Sequence, residues 1–304
     1  MTGKVFSPLG TDLFGDPIRQ QTESPVAQKF LVAPFSVLNA REGDWQDRKR
    51  AWVNMGIESE VGRMANLGGY SATASLGEKD TSIFDPVLCE LVYRWFSGEG
   101  AQVVDPFAGG SVRGVVASCL GRKYWGCDLR QEQVDANNQQ ARTLCPDNPP
   151  AYVCGDSMDT LETAPDADLI FSCPPYGDLE TYSDDPRDLS NMEWHTFLAS
   201  YKRIILRACK KLKPNRFVCF VVGEFRDSKG YYRNFVGDTV QAFKEQGLQL
   251  YNDAILVTSV GTAAMRVTKQ FDSGRKLCKT HQNVLVFCKG DWKAAANAAR
   301  ATQG

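Results

Sequence analysis

Residues 103–114 read VVDPFAGGSVRG. An apolar pair runs into an acid, Pro106 ends the extended run, and Gly109 and Gly110 permit a tight turn with close backbone approach. The residues that follow, GGSVRGVVASCLG, suit a helix whose N-terminus faces back toward that turn. Strand, glycine turn and helix in this order open a parallel α/β sheet. Downstream the alternation continues. KYWGCDL reads as a strand, QEQVDANNQQART as a helix, AYVCGD and ADLIFSC as strands, NMEWHTFLASYKRIILRACKKL as a long amphipathic helix, and RFVCFVVGE as a strand. A helix through RNFVGDTVQAFKEQ comes next. LQLYNDAILVTS and NVLVFCKG then close the pattern with no evident helix between them, so they are expected to pair antiparallel at one edge. The expectation is a three-layer α/β fold.

Around this core, residues 1 to about 30 form a polar arm without periodicity. Residues 36–67 look mostly helical, and residues 70–82 form a turn-prone connector. The expected organisation is an arm with a helical extension over 1–80, a catalytic domain over 81–290 and a tail over 291–304. Net charge is −1, so any surface for an acidic partner must be local. No apolar run approaches the roughly 18 residues needed to span a bilayer, and the start lacks the basic-then-apolar order of a secretory signal. The ten cysteines are scattered, most of them inside apolar runs, and form no CxxC pair. That points to a reducing cytoplasm and to no metal centre, as does the presence of only two histidines, His195 and His281.

Ligands in such sheets bind beyond the C-terminal ends of the strands. Three successive strands end in acids: Asp105, Asp128 in WGCDL, and Asp156 in VCGDS. Three carboxylates suit a ligand with an amine, a diol and a purine amino group, and suit a pyrophosphate poorly. The fourth strand runs into LIFSCPPYGDLE, residues 169–180, where Pro174 and Pro175 rigidify a loop that carries Cys173 and Tyr176.

DPFAGG, GRKYWGCDL and SCPPY together resemble the S-adenosylmethionine-dependent DNA methyltransferases of the amino-methylating group, whose motifs have the forms DPFxGxG and (D/N/S)PP(Y/F). The closing HQNVLVFCKG is also similar to their last strand. The resemblance covers residues 82–290. It implies a class I (Rossmann-like) methyltransferase fold, a mostly parallel seven-stranded sheet with an antiparallel edge strand. It implies S-adenosylmethionine as cofactor, DNA as partner, and work in the cytoplasm of a bacterium or a phage-infected host, as in phage or restriction-modification systems. By that match the methionyl amine falls to Asp105, the ribose to Asp128 and the adenine to Asp156, with Phe107, Ala108, Gly109, Gly110 and Ser172 completing the cofactor site.

The catalytic loop is then Cys173, Pro174, Pro175 and Tyr176, with Tyr176 stacking on a base flipped out of the duplex. In the family an oxygen before the prolines accepts a hydrogen bond from the exocyclic amine. Here that place holds a thiol, a weak acceptor. The cytosine carbon-5 methyltransferases instead carry a cysteine nucleophile after the fourth strand and a glutamate after the fifth, where this chain has Cys173 and Glu224. The match is one of position, and it inclines the reading to carbon-5 of cytosine through a covalent Cys173 adduct. N4-cytosine or N6-adenine methylation is the alternative, followed by RNA or protein-glutamine methylation. DNA contact is expected from the loop 260–280, through Arg266, Lys269, Arg275 and Lys276, and from Arg48, Lys49 and Arg50 in WQDRKRAW. The acidic stretch after Tyr176 reads as a lid over the pocket.

Overall fold

The computed structural model describes residues 25–57, 84–177, 182–258, 260–261 and 263–300; side chains 25, 28, 263 and 266 are excluded. The chain divides into two units, Met1–Pro34 and Phe35–Gly304. The first contains helix α1 (Pro25–Phe30). The connector expected at 70–82 lies outside the described residues.

Among the described residues, the second unit is built on one sheet of eight strands: β1 (Val37–Asn39), β2 (Gln102–Asp105), β3 (Lys123–Asp128), β4 (Ala151–Cys154), β5 (Ala167–Ser172), β6 (Leu212–Val222), β7 (Gln249–Val257) and β8 (His281–Lys289). Their order is β1-β7-β8-β6-β5-β2-β3-β4. Only β8 is reversed, pairing antiparallel with β6 and with β7. The expected antiparallel pairing of the last two strands is therefore present, with β8 inserted between β7 and β6.

Two expectations need correction. The strand count is eight, because β1 adds parallel to β7 within a stretch that reads as helical. Val37 to Asn39 is too short to show a period of two, and the helix α2 (Gly43–Asn54) that follows dominates the pattern. The segment between β7 and β8 is not a plain loop either. It holds helix α9 (Ala263–Gly274), and the expected tail holds helix α10 (Trp292–Arg300).

Helices α3 (Pro86–Phe96), α4 (Val112–Cys119), α5 (Gln131–Leu144), α6 (Ser157–Thr160), α7 (Trp194–Lys211) and α8 (Phe235–Glu245) complete the layers. α3 starts where the sequence dictates: Asp85 accepts from the Val87 and Leu88 amides at 2.9 and 3.2 Å, and Pro86 occupies the first turn. The core between sheet and helices is aromatic, with Phe197, Tyr201, Phe220, Phe235, Phe243 and Phe287 fully buried. α2 is tied to α3 through Glu90, which is buried and accepts from Arg48, Arg94 and the Trp52 indole at 2.5 to 2.9 Å.

Candidate functional site

A cavity of about 450 Å³ opens at the C-terminal ends of the parallel strands. The turn after β2 forms one wall. Gly109 has φ +51°, a left-handed conformation that favours glycine, and its amide donates to Asp128 at 3.1 Å while its carbonyl accepts from Asn137 at 2.7 Å. The Ala108 amide donates to the Cys127 carbonyl at 3.0 Å. On β3, a Cβ at Gly126 would come within 2.9 Å of Ala108 and the Tyr124 ring, so a glycine there lets turn and strand approach. Phe107, Gly109 and Gly110 line the cavity, while Ala108 is fully buried.

The three acids do not act alike. Asp128 lines the cavity, and its carboxylate also accepts from the Arg130 amide at 2.9 Å. Asp156 lines it too and caps α6 by accepting from the Met158 amide at 2.8 Å. Asp105 departs from expectation. It is 0% exposed, and its two oxygens accept from Arg113 (2.6 Å), Tyr124 (2.7 Å), Ser172 (2.5 Å) and the Phe107 amide (3.0 Å). Asp105 and Ser172 thus stand behind the wall, where the carboxylate is saturated by internal donors and has no lone pair to spare for a ligand amine.

Sequence reasoning missed Arg113, which holds this arrangement together. Its guanidinium also donates to the Phe107 and Ala108 carbonyls, lies 4.6 Å from the Phe84 ring centre and lines the cavity. Burial alone would lower its pKa; the Asp105 carboxylate more than offsets this and raises it, so the group stays charged. The signal was the bare fact of an arginine in an otherwise apolar helix, eight residues after the acid.

The loop after β5 closes the opposite wall. Cys173, Pro174, Pro175 and Tyr176 all line the cavity. The Cys173 sulfur lies 4.0 Å from the Tyr176 hydroxyl, which accepts from Gln282 of β8 at 2.7 Å. Burial, with Cys173 beside it, pushes the Tyr176 phenol well above its usual value, so it remains protonated. Phe225 and Phe235, each 6.2 Å away between ring centres, support the ring from behind. Of the acidic stretch after this loop, Tyr182, Arg187, Asp188 and Leu189 line the cavity, and residues 178–181 lie outside the described residues.

Glu224 is not brought to this cavity. Its carboxylate accepts from the Phe235 and Val236 amides at 3.1 and 2.8 Å, which caps α8, and it lines a separate cavity of about 200 Å³. Of the three expected cations on α2, Arg48 is spent on Glu90, Arg50 pairs with Asp47, and Lys49 lines the large cavity 3.7 Å from Asp85. Lys269, Arg275 and Lys276 are exposed on and after α9. Among the described residues no group of three or more metal-ligating side chains occurs, and no helix is long and apolar enough to cross a membrane.

No protein-family model matches the chain, and no curated protein matches it. Several solved structures resemble it at low identity. TrmN from Thermus thermophilus shares 16% identity over 68% of this chain and 49% of its own, with a TM-score of 0.46. This chain therefore matches about half of TrmN's length. Magnesium protoporphyrin IX methyltransferase from Synechocystis, with SAH bound, shares 9% over 70% of this chain and 90% of its own, at 0.46. Precorrin-6y C5,15-methyltransferase from Geobacter metallireducens shares 12% over 71% and 93%, at 0.44. Seven of the strands stand in the order β4-β3-β2-β5-β6-β8-β7 with β8 alone reversed. This is a mostly parallel α/β sheet with one reversed strand, the architecture that the class I methyltransferase resemblance implies.

Proposed function

We propose that the protein is an S-adenosylmethionine-dependent methyltransferase that acts on a cytosine of DNA turned out of its stack. One observation carries this reading: a single cavity joins the Gly109–Gly110 turn, Asp128 and Asp156 to the Cys173–Tyr176 loop. The residues suit the cofactor. Asp128 and Asp156 are acceptors for the ribose hydroxyls and the adenine amine. The Arg113 guanidinium beside the turn is a partner for the methionyl carboxylate, while Asp105, expected to take the methionyl amine, acts only by holding Arg113. When bound, the cofactor supplies an electrophilic methyl group.

The loop orients the acceptor base. Tyr176, neutral and held by Gln282, gives it a rigid aromatic wall. The engagement of Glu224 by the first amides of α8 leaves the ring's N3 without the carboxylate that carbon-5 chemistry uses, which favours transfer to the exocyclic N4 amine. The backbone carbonyls of the rigid prolines are then the acceptors that orient this amine, with the Cys173 sulfur as a weak third. Carbon-5 methylation through Cys173 is the second reading, favoured by the position of the thiol on the cavity wall. In it the thiolate adds to carbon-6, carbon-5 takes the methyl group, and loss of the carbon-5 proton expels the thiolate. Incubation with methyl-labelled S-adenosylmethionine and separate DNA, RNA and protein acceptors tests the reading. Label entering DNA is expected; label entering only RNA or protein would overturn the substrate assignment.

A further inference from the structure

Beyond the cavity, two segments far apart in sequence meet on one face. Residues 226–233, RDSKGYYR, form a hairpin closed by a bridge between Arg226 and Tyr232, with the Asp227 amide donating to the Tyr231 carbonyl at 2.8 Å and the Tyr231 amide to the Asp227 carboxylate at 2.9 Å. Gly230, at φ +91°, makes the turn. This rigid frame holds two aromatic rings in solvent: Tyr231 is 72% and Tyr232 47% exposed. The Arg226 guanidinium lies 4.0 Å from the Tyr232 ring centre.

α9 and the residues after it adjoin this hairpin. Lys276 packs on Gly230 so closely that a Cβ there would overlap its amine. The smaller cavity lies between Arg226 and Tyr232 on one side and Gln270, Leu277 and Lys279 on the other. Among the described side chains these segments bring Arg226, Lys229, Lys269, Arg275, Lys276 and Lys279 together against Asp227 and Asp272, on a chain whose net charge is −1, while Arg233 stacks over Trp194. The surface also reaches the catalytic loop, since a Cβ at Gly223 would lie 3.8 Å from the Tyr176 hydroxyl and 4.0 Å from Lys279.

We propose that the hairpin and the basic face around α9 form one docking surface for single-stranded DNA, with Tyr231 and Tyr232 as base-stacking platforms. This rests on the reading of DNA as substrate and specifies its form. Exposed rings interleaved with cations match a strand whose bases are unstacked and whose phosphates follow the charges. A duplex keeps its base faces covered and gives the rings nothing to stack on. A protein partner fits less well, because interface cores are depleted of lysine and this face is rich in it.

The test is fluorescence anisotropy with labelled oligothymidine, a duplex of equal length and oligouridine, on the wild type and on Y231A/Y232A. Both tyrosines are exposed, and an unchanged melting temperature establishes that the variant is folded. The wild type should bind oligothymidine more tightly than duplex, and the variant should lose roughly ten- to hundred-fold. The slope of log affinity against log salt should stay the same in Y231A/Y232A, since no cation is removed, and fall by about 0.7 in Lys276→Gln. No binding of oligothymidine, equal binding of duplex, tighter binding of oligouridine, or unchanged affinity in Y231A/Y232A would each overturn the proposal. Calorimetry with S-adenosylmethionine on the same samples separates the two failures. A wild type that binds the cofactor but shows no role for the tyrosines leaves the methyltransferase reading standing; one that binds no cofactor removes that reading itself.

Discussion

Replacing Arg113 with methionine should destabilise the protein by about 4–6 kcal/mol. The side chain is 6% exposed and is the charged partner of Asp105, which is fully buried. Removing one member of a buried ion pair costs roughly 3–5 kcal/mol, because the other is left as an uncompensated charge. The Phe107 and Ala108 carbonyls also lose their donor, which adds about 1 kcal/mol where water from the cavity replaces it only in part. Methionine preserves much of the volume, so the cavity contribution is small. Urea unfolding followed by tryptophan fluorescence measures the difference, with an unchanged slope as the sign that the unfolding transition itself is the same. The double variant Asp105→Asn/Arg113→Met should lose clearly less than the sum of the two single variants, since either alone strands its partner. A loss below about 2 kcal/mol for Arg113→Met, or additive single variants, would refute the idea that this pair holds the turn against the sheet.

Burial raises the Glu90 carboxyl, but hydrogen bonds from Arg48 and Trp52 outweigh it and hold the group below its ordinary value of 4.5. A depressed folded value means stability that is present above 4.5 and lost as the pH falls through the folded value. Glu90→Gln should therefore cost about 3 kcal/mol at neutral pH, and its difference from the wild type in chemical denaturation should shrink in acid. A difference independent of pH would contradict the linkage. Asp128→Ala should weaken S-adenosylmethionine binding by roughly ten- to hundred-fold in calorimetry, as expected for loss of a charged acceptor; unchanged affinity would remove Asp128 from the cofactor site. Cys173→Ser restores an oxygen acceptor and should keep or raise the transfer rate if the acceptor is the exocyclic amine. Complete loss of transfer in Cys173→Ser would instead support the covalent carbon-5 route.

The central strands were legible because each is an apolar run ending at a punctuated site, as in VVDPF and LIFSCPP. The cavity walls followed from those ends, and the structure gathers Asp128, Asp156 and Cys173–Tyr176 around one space. What stayed hidden depends on contacts across the sheet. Asp105 and Asp128 look alike in sequence, and only the convergence of Arg113, Tyr124 and Ser172 separates a structural acid from a cavity-lining one. Glu224 sits at the expected strand end, yet the start of α8 folds back onto it and takes both its oxygens. The three-residue β1 is too short to produce a clear period.

The most direct test is mass spectrometry of nucleosides from single-stranded and duplex DNA treated with the protein and S-adenosylmethionine, with Asp128→Ala as the control. N4-methylcytosine is expected from the wild type, formed more on the single strand, and little or none from the variant. DNA left unmodified by a wild type that binds the cofactor would contradict this reading.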